Sequence, residues 1–256
     1  MNSPKIVLLA GKGISTNILY NALIKDFTVT AIILEEPVSK KQFLKKRIKK
    51  QGIIKVVGQI LFQLLIVKFL DLFSKGRKKE ILLQYAMHNR ALPYEKIIQV
   101  RSVNDETCIQ ILQSLQPNLV IVNGTRIISS QVLNCVSSNF INIHAGITPK
   151  YRGVHGAYWA LVNNEPENCG VTVHLVDPGI DTGAVIAQKT ITITQNDNFV
   201  TYPLLQLAEG LPLIKSAIST ILDDNLSLKD TSGESRLWYH PTISQYFYNR
   251  IVKGKK

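Results

Sequence analysis

Asn142 and His144, in the stretch NFINIHAGITPKYRG (139–153), are two hydrogen-bonding side chains one residue apart at the end of an apolar run. In a strand, residues i and i+2 share a face, so these two point the same way while Ile141 and Ile143 enter the opposite layer. The stretch VDPGIDTG (176–183) holds two glycines and a proline, which force a tight turn and present Asp177 and Asp181 on it. Taken singly, each has an ordinary structural reading: a strand histidine as a satisfied interior residue, a turn aspartate as a cap for its own backbone. Taken together they suit acyl or formyl transfer to an amine. The developing oxyanion needs preorganised donors, which an Asn amide and an imidazolium supply. The attacking amine must lose a proton, which a carboxylate or imidazole accepts. No Ser or Cys occupies a strand-turn-helix elbow, so direct attack by the amine is expected rather than a covalent intermediate. The histidines, at 88, 144, 155, 174 and 240, lack HExxH spacing and the three cysteines lack CxxC spacing, so no metal is expected.

The elements that must position these residues alternate along the chain. Lys5 to Ala10 is apolar and β-branched, a Gly11-Lys12-Gly13 turn follows, and Ile14, Ile18, Leu19, Leu23 and Ile24 have helical spacing before the strand pattern TVTAIILEE (28–36). Thr16 stands where a dinucleotide fingerprint needs its third glycine, so that motif fails; Glu35 or Glu36 as a ribose-binding acid is a weaker reading. Further strands are expected at 96–100, 117–124, 139–146, 170–176 and 184–193, with helices at 104–116, 129–136, 156–164 and 199–223. The pattern predicts an α/β fold: a Rossmann-like, doubly wound, mostly parallel sheet with a helical insertion and an antiparallel edge near its C-terminal end. Residues 1–225 read as the catalytic domain, with the insertion at about 40–92, and residues 226–256 as an irregular extension. Asn142 and His144 then lie at the carboxyl end of a parallel strand, where open α/β sheets bind ligands.

The 256 residues carry a net charge of +12, and half of the Lys and Arg lie in three patches, at 40–55, 75–79 and 253–256. Such charge attracts polyanions, or simply solubilises a surface. The run GIIKVVGQILFQLLIVKFLDLF (52–73) is interrupted by Lys55, Lys68 and Asp71, too often for a membrane span. It reads as a core helix or a homodimer helix in preference to membrane surface contact through 40–75. Cysteines at 108, 135 and 169, odd in number and widely spaced, suit a reducing, cytoplasmic setting, and the glycine-broken N-terminus does not read as a signal peptide.

NIHAGITPKYRG followed about thirty residues later by DPGIDTG resembles the formyltransferase family that uses 10-formyltetrahydrofolate. That family includes glycinamide ribonucleotide transformylase, sugar N-formyltransferases, the N-terminal domain of methionyl-tRNA formyltransferase, and a hydrolytic deformylase. The resemblance implies catalytic places for Asn142, His144 and Asp181. It implies folate contacts at Arg126, Ile127 and Ile128 and at the turn Pro178, Gly179 and Ile180, with 10-formyltetrahydrofolate as cosubstrate. Gly11, Gly13 and Ser15 are candidates to cradle an acceptor phosphate. Tyr158 is a candidate to stack a base or sugar, and Glu209 falls near a family substrate-contact position. Ala145-Gly146-Ile147-Thr148 departs from the Pro-Ser-Leu-Leu common after the family histidine. The acceptor expected is the amine of an amino sugar or of glycinamide ribonucleotide. Nucleic acid is not expected, because fewer than forty residues follow the last long helix, too few for the C-terminal barrel of the tRNA enzymes. Hydrolysis of the folate and a non-enzymatic basic binding module are the alternatives.

Overall fold

Ile6–Gly11 forms the first strand, β1, of the computed structural model, which describes residues 3–256. Its residues alternate between two layers. Ile6, Leu8 and Ala10 enter one core with helices α1 (Ile14–Leu23) and α9 (Tyr202–Leu222), while Val7 and Leu9 enter another with α6 (Glu106–Leu115) and α7 (Ser130–Leu133). Strands β2 (Val29–Glu35), β3 (Ile97–Val100), β4 (Leu119–Asn123) and β5 (Asn139–His144) are parallel to β1. Strands β7 (Gly170–Leu175) and β8 (Val185–Thr190) close the edge antiparallel, in the order β3-β2-β1-β4-β5-β7-β8. This is the doubly wound, mostly parallel sheet with an antiparallel edge that the alternation predicts.

Thr16, where the fingerprint glycine is missing, is buried and donates its hydroxyl to the Gly11 carbonyl at 2.6 Å. Glu35 is committed to structure: it accepts from the Val103 and Arg126 backbone N–H groups and pairs with the Arg126 guanidinium at 2.5 Å. Helix α9 lies close on the sheet because Gly210 has no side chain; a Cβ there would come within 2.7 Å of Ile143 Cγ2.

Between β2 and β3 the insertion forms α2 (Lys40–Gln51), α3 (Ile53–Leu61), a π-helical stretch (Phe62–Val67), α4 (Lys68–Phe73) and α5 (Lys75–Gln84). It is anchored by a bidentate pair, Arg77 to Asp197, at 2.9 and 3.0 Å. Buried Gln59 joins Arg47, Gln51 and the His240 carbonyl. Of the two readings of the apolar run, core helix or homodimer helix, the core helix fails: Val56 and Phe62 are buried, but Ile54 is 86% exposed and Phe73 72%.

The C-terminal extension is also more ordered than its sequence reading. Residues 152–153 (β6) pair with 237–238 (β9), α8 (Gly156–Val162) lies between them in sequence, and α10 (Ile243–Ile251) packs on α3. Helix α10 begins with a capping box in which Thr242 and Gln245 satisfy each other's backbone N–H. That Thr-x-x-Gln spacing is visible in the sequence.

Candidate active site

Strand β5 delivers Asn142 and His144 to one face, as the two-residue period requires, and α9 covers the opposite face through Ile143. Because β7 runs antiparallel to β5, Asn142 stands across from His174 and His144 across from Thr172. The 176–183 turn folds back so that Asp181 meets both imidazoles. Its Oδ2 lies 3.2 Å from His144 Nδ1, and its Oδ1 3.8 Å from His174 Nε2. The Gly153 backbone N–H also donates to Asp181 Oδ2, at 2.9 Å. Asp181 adopts φ 52°, a left-handed conformation that Asp tolerates better than most residues.

These contacts fix hydrogen positions. His174 Nδ1 lies 2.7 Å from the Leu175 carbonyl, which only accepts, so Nδ1 carries the hydrogen. His174 Nε2 is then a lone pair facing Asn142 Nδ2 at 3.3 Å, which orients the Asn amide nitrogen toward it. Burial pushes the His174 imidazole below its ordinary value; the Leu175 carbonyl and Asp181 offset this only in part. His174 is therefore neutral at pH 7. Burial pushes the Asp181 carboxyl up, but the hydrogen bond and charge of His144, with the Gly153 amide and His174, outweigh it and leave the carboxyl below its ordinary value. Asp181 is therefore an anion.

The His144 ring is 5% exposed, braced between Asp181 on Nδ1 and the Tyr151 carbonyl on Nε2 at 2.7 Å. The chain can pass so close to the ring because residue 146 is glycine. A Cβ there would lie 2.7 Å from His144 Nε2 and nearer still to the Tyr151 carbonyl oxygen. Thr172 holds the same loop, donating to the Gly146 carbonyl at 2.7 Å and accepting from Thr148 N–H at 3.1 Å. Gly146 is thus what lets the loop wrap His144.

Around this cluster is a cavity of about 360 Å³, whose wall includes Asn142, His174, Asp181, Arg126, Ile127 and Ile128. Gly179 and Ile180 line it too, whereas Pro178 does not. The Arg126 guanidinium is already spent on Glu35 and on the Glu36 and Arg101 carbonyls. A second cavity of about 720 Å³ shares Gly124 through Ile127 and extends to Gly11, Lys12, Phe43 and Lys46. Gly13 is exposed at the start of α1, which has no side-chain cap, and Ser15 Oγ accepts from Asn123 Nδ2 at 3.2 Å.

Two expected acceptor contacts lie elsewhere. Tyr158 is buried in the core, its hydroxyl accepting from Asn249 at 2.9 Å. Glu209 sits on α9, behind the sheet face that Ile143 occupies, paired with Lys189 at 2.7 Å. His174 is the residue sequence reasoning passed over. The alternation in GVTVHLV places it beside Thr172 on one face, seven residues before Asp181.

Residues 68–203 match the formyl transferase family. A methionyl-tRNA formyltransferase of Thermodesulfovibrio yellowstonii is 33% identical over 150 residues, which cover 58% of this chain and 48% of that protein. The chain spans about half the length of the curated relatives it matches. Among solved structures, phosphoribosylglycinamide formyltransferase from Anaplasma phagocytophilum superposes with TM-score 0.57 at 16% identity, over 92% of this chain and 98% of that one. WlaRD, a sugar 3N-formyltransferase solved in the presence of dTDP and 5-N-formyl-THF, superposes with TM-score 0.54 at 21% identity, over 93% of this chain and 70% of that one. These two likenesses are likenesses of fold. The family match runs from the insertion through β4, β5 and the Asp181 turn to the start of α9, more than half the chain, and on it this chain belongs to the formyl transferase family.

Proposed function

We propose that the chain transfers the formyl group of 10-formyltetrahydrofolate to the primary amine of a small phosphorylated or nucleotide-linked acceptor, an amino sugar or glycinamide ribonucleotide. The observation that carries this is the convergence of Asn142, His174 and Asp181 on the wall of one cavity at the carboxyl end of β5, with His144 buried behind Asp181 and not on that wall. The cavity suits a folate. Its wall combines apolar Val122, Ile127, Ile128 and Val176 with the backbone of two turns, which fits a flat heterocycle with hydrogen-bonding edges. When bound, the folate supplies an electrophilic formyl carbon and a nitrogen leaving group.

The protein's own groups then have distinct tasks. One Asn142 amide hydrogen is held by His174 and the other is free for the oxyanion. The proton that the attacking amine loses goes to the departing folate nitrogen, and Asp181, on the cavity wall, is placed to help move it there. Asp181 braces His144 and favours positive charge on the ring as negative charge develops at the carbonyl. Lys12, Lys46 and the uncapped start of α1 favour an acidic group on the acceptor in the second cavity, where Glu35 is neutralised by Arg126 and Glu36 is the opposing charge. The free thiols of Cys108, Cys135 and Cys169 agree with a cytoplasmic setting.

The names of the curated relatives make methionyl-tRNA the competing acceptor. The test is folate turnover by the purified chain with a nucleotide-linked amino sugar, glycinamide ribonucleotide, methionyl-tRNA, or no amine. Turnover that depends on one of the small amines is expected. Equal turnover without amine makes the chain a hydrolase, and turnover only with methionyl-tRNA replaces the acceptor. Asn142→Ala must lower turnover roughly 100- to 1,000-fold; an unchanged rate removes the proposed site.

A further inference from the structure

The face of the insertion that packs on the protein is fully accounted for; the opposite face is not. Along Ile53–Phe73 the side chains of Ile54, Leu61, Leu65, Phe69, Leu72 and Phe73 are exposed, while Val56, Gln59 and Phe62 are buried. Only 17% of this stretch's most apolar 18-residue window is buried, although Ile66, Val67 and Leu70 pack partly on the core. At 21 residues it is long and apolar enough to cross a bilayer by length and composition. Its buried side argues against crossing. Gln59 donates to the His240 carbonyl at 2.8 Å and accepts from Arg47, and Phe62 packs edge-on against Phe199 at 4.9 Å. The helix is thus fixed along the protein surface, with one flank docked and one flank bare.

Its charge surroundings identify the cover. No acid occurs between Glu36 and Asp71, and Asp71 is paired with Lys78. Exposed Lys45, Lys46, Lys49 and Lys50 on α2 precede the apolar flank, Lys55 and Lys68 lie on it, and Lys75 and Lys79 follow it. A second copy of the chain would cover the leucines but bring two lysine arrays together. RNA would neutralise the lysines and leave the aliphatic side chains in water. An anionic lipid surface satisfies both, with acyl chains below the headgroups for the apolar side chains and phosphates level with the lysines.

We propose that residues 40–79 form a docking surface for an anionic lipid bilayer, with Ile53–Phe73 lying in its interface. Lys46 also lines the second cavity, so the test variants leave it unchanged; the residues they alter, Lys45, Lys49, Leu61 and Leu65, are none of those assigned to chemistry. The test is flotation of the full chain, without detergent, with vesicles of phosphatidylcholine alone or of equal parts phosphatidylcholine and phosphatidylglycerol. The expected result is at least about tenfold stronger partition into the anionic vesicles, weakened by high salt. Leu61→Asp/Leu65→Asp and Lys45→Glu/Lys49→Glu each lower that partition about tenfold or more, with melting temperatures held near the wild type's. Absence of partition, equal partition into neutral vesicles, or a lipid-free dimer that Leu61→Asp/Leu65→Asp splits would overturn the proposal.

Discussion

Replacing Asp181 by Asn removes a charge and little else. The amide oxygen can stay where Oδ2 accepts from the Gly153 N–H at 2.9 Å and faces His144 Nδ1 at 3.2 Å. Asn also tolerates the φ of 52° at this position. What is lost is the anion that favours charge on His144. A hydrogen bond to a charged group contributes about 1.5–3 kcal/mol, and an oxyanion donor about 3–4 kcal/mol. A loss of about 2–4 kcal/mol from the transition state lowers kcat roughly 30- to 1,000-fold. Asp181→Ala is the control. It strands the Gly153 N–H, at about 1–3 kcal/mol, and puts a Cβ residue without a polar side chain in the left-handed region, at about 1–2 kcal/mol. Single-turnover formyl transfer and thermal melts separate the effects: Asp181→Asn melts above Asp181→Ala and close to wild type, yet turns over slowly. The folded carboxyl lies below its ordinary value of 3.8, so the stability its charge contributes is present above that pH and lost as pH falls through the folded value. Asp181→Asn with more than a tenth of wild-type turnover, or melting as low as Asp181→Ala, would refute the reasoning.

Three further outcomes are expected. Gly146→Ala forces a Cβ to within 2.7 Å of His144 Nε2, so kcat falls at least about tenfold with a stability loss of about 1–3 kcal/mol; unchanged kinetics would show the loop yields without moving the ring. Burial keeps His155 neutral well below the ordinary imidazole value and lowers His240 to about 4, their rings 3.1 Å apart at the nearest nitrogens. Both take up protons on unfolding in acid, so stability is intact above about pH 6.5 and falls as pH drops toward 4; urea titrations at pH 7 and 4.5 should show His240→Gln losing about 2–3 kcal/mol less than wild type. Arg77→Met leaves the buried Asp197 carboxylate without its bidentate partner and costs about 3–5 kcal/mol of unfolding free energy in a urea titration, whereas exposed Lys79→Met costs about 0.5 kcal/mol or less.

The sheet was legible because its strands are short apolar runs bounded by turns, and because two-residue alternation assigns each side chain a layer without knowledge of its neighbours. Ile6 and Val7 enter different cores for that reason alone. The Ile53–Phe73 helix was legible as a helix but not in its burial. Apolarity says that a surface wants cover; it does not say whether this chain supplies it. Here the chain covers Val56 and Phe62 and leaves Ile54 and Leu65 bare. Helix α10 was missed for want of a long apolar stripe, although Thr242 and Gln245 mark its start.

Asn142 and His144 could be paired from sequence because both lie on one strand, where geometry fixes their relation at a spacing of two. His174 could not be paired with them the same way, since its place depends on the direction and register of a second strand. With β7 antiparallel to β5, Asn142 stands opposite His174. A slip of one residue would instead have placed Val173 or Leu175 there and turned the imidazole to the other face. What fixes the register is itself in the sequence, but at a distance. Thr172 ties β7 to the loop after His144 through the Gly146 carbonyl and the Thr148 N–H, and the Val176 N–H donates to the Phe140 carbonyl of β5 at 2.8 Å. Each constraint links two segments, so none is readable until both are placed. The histidine whose lone pair faces Asn142 is therefore the site residue that the fold adds to the motif.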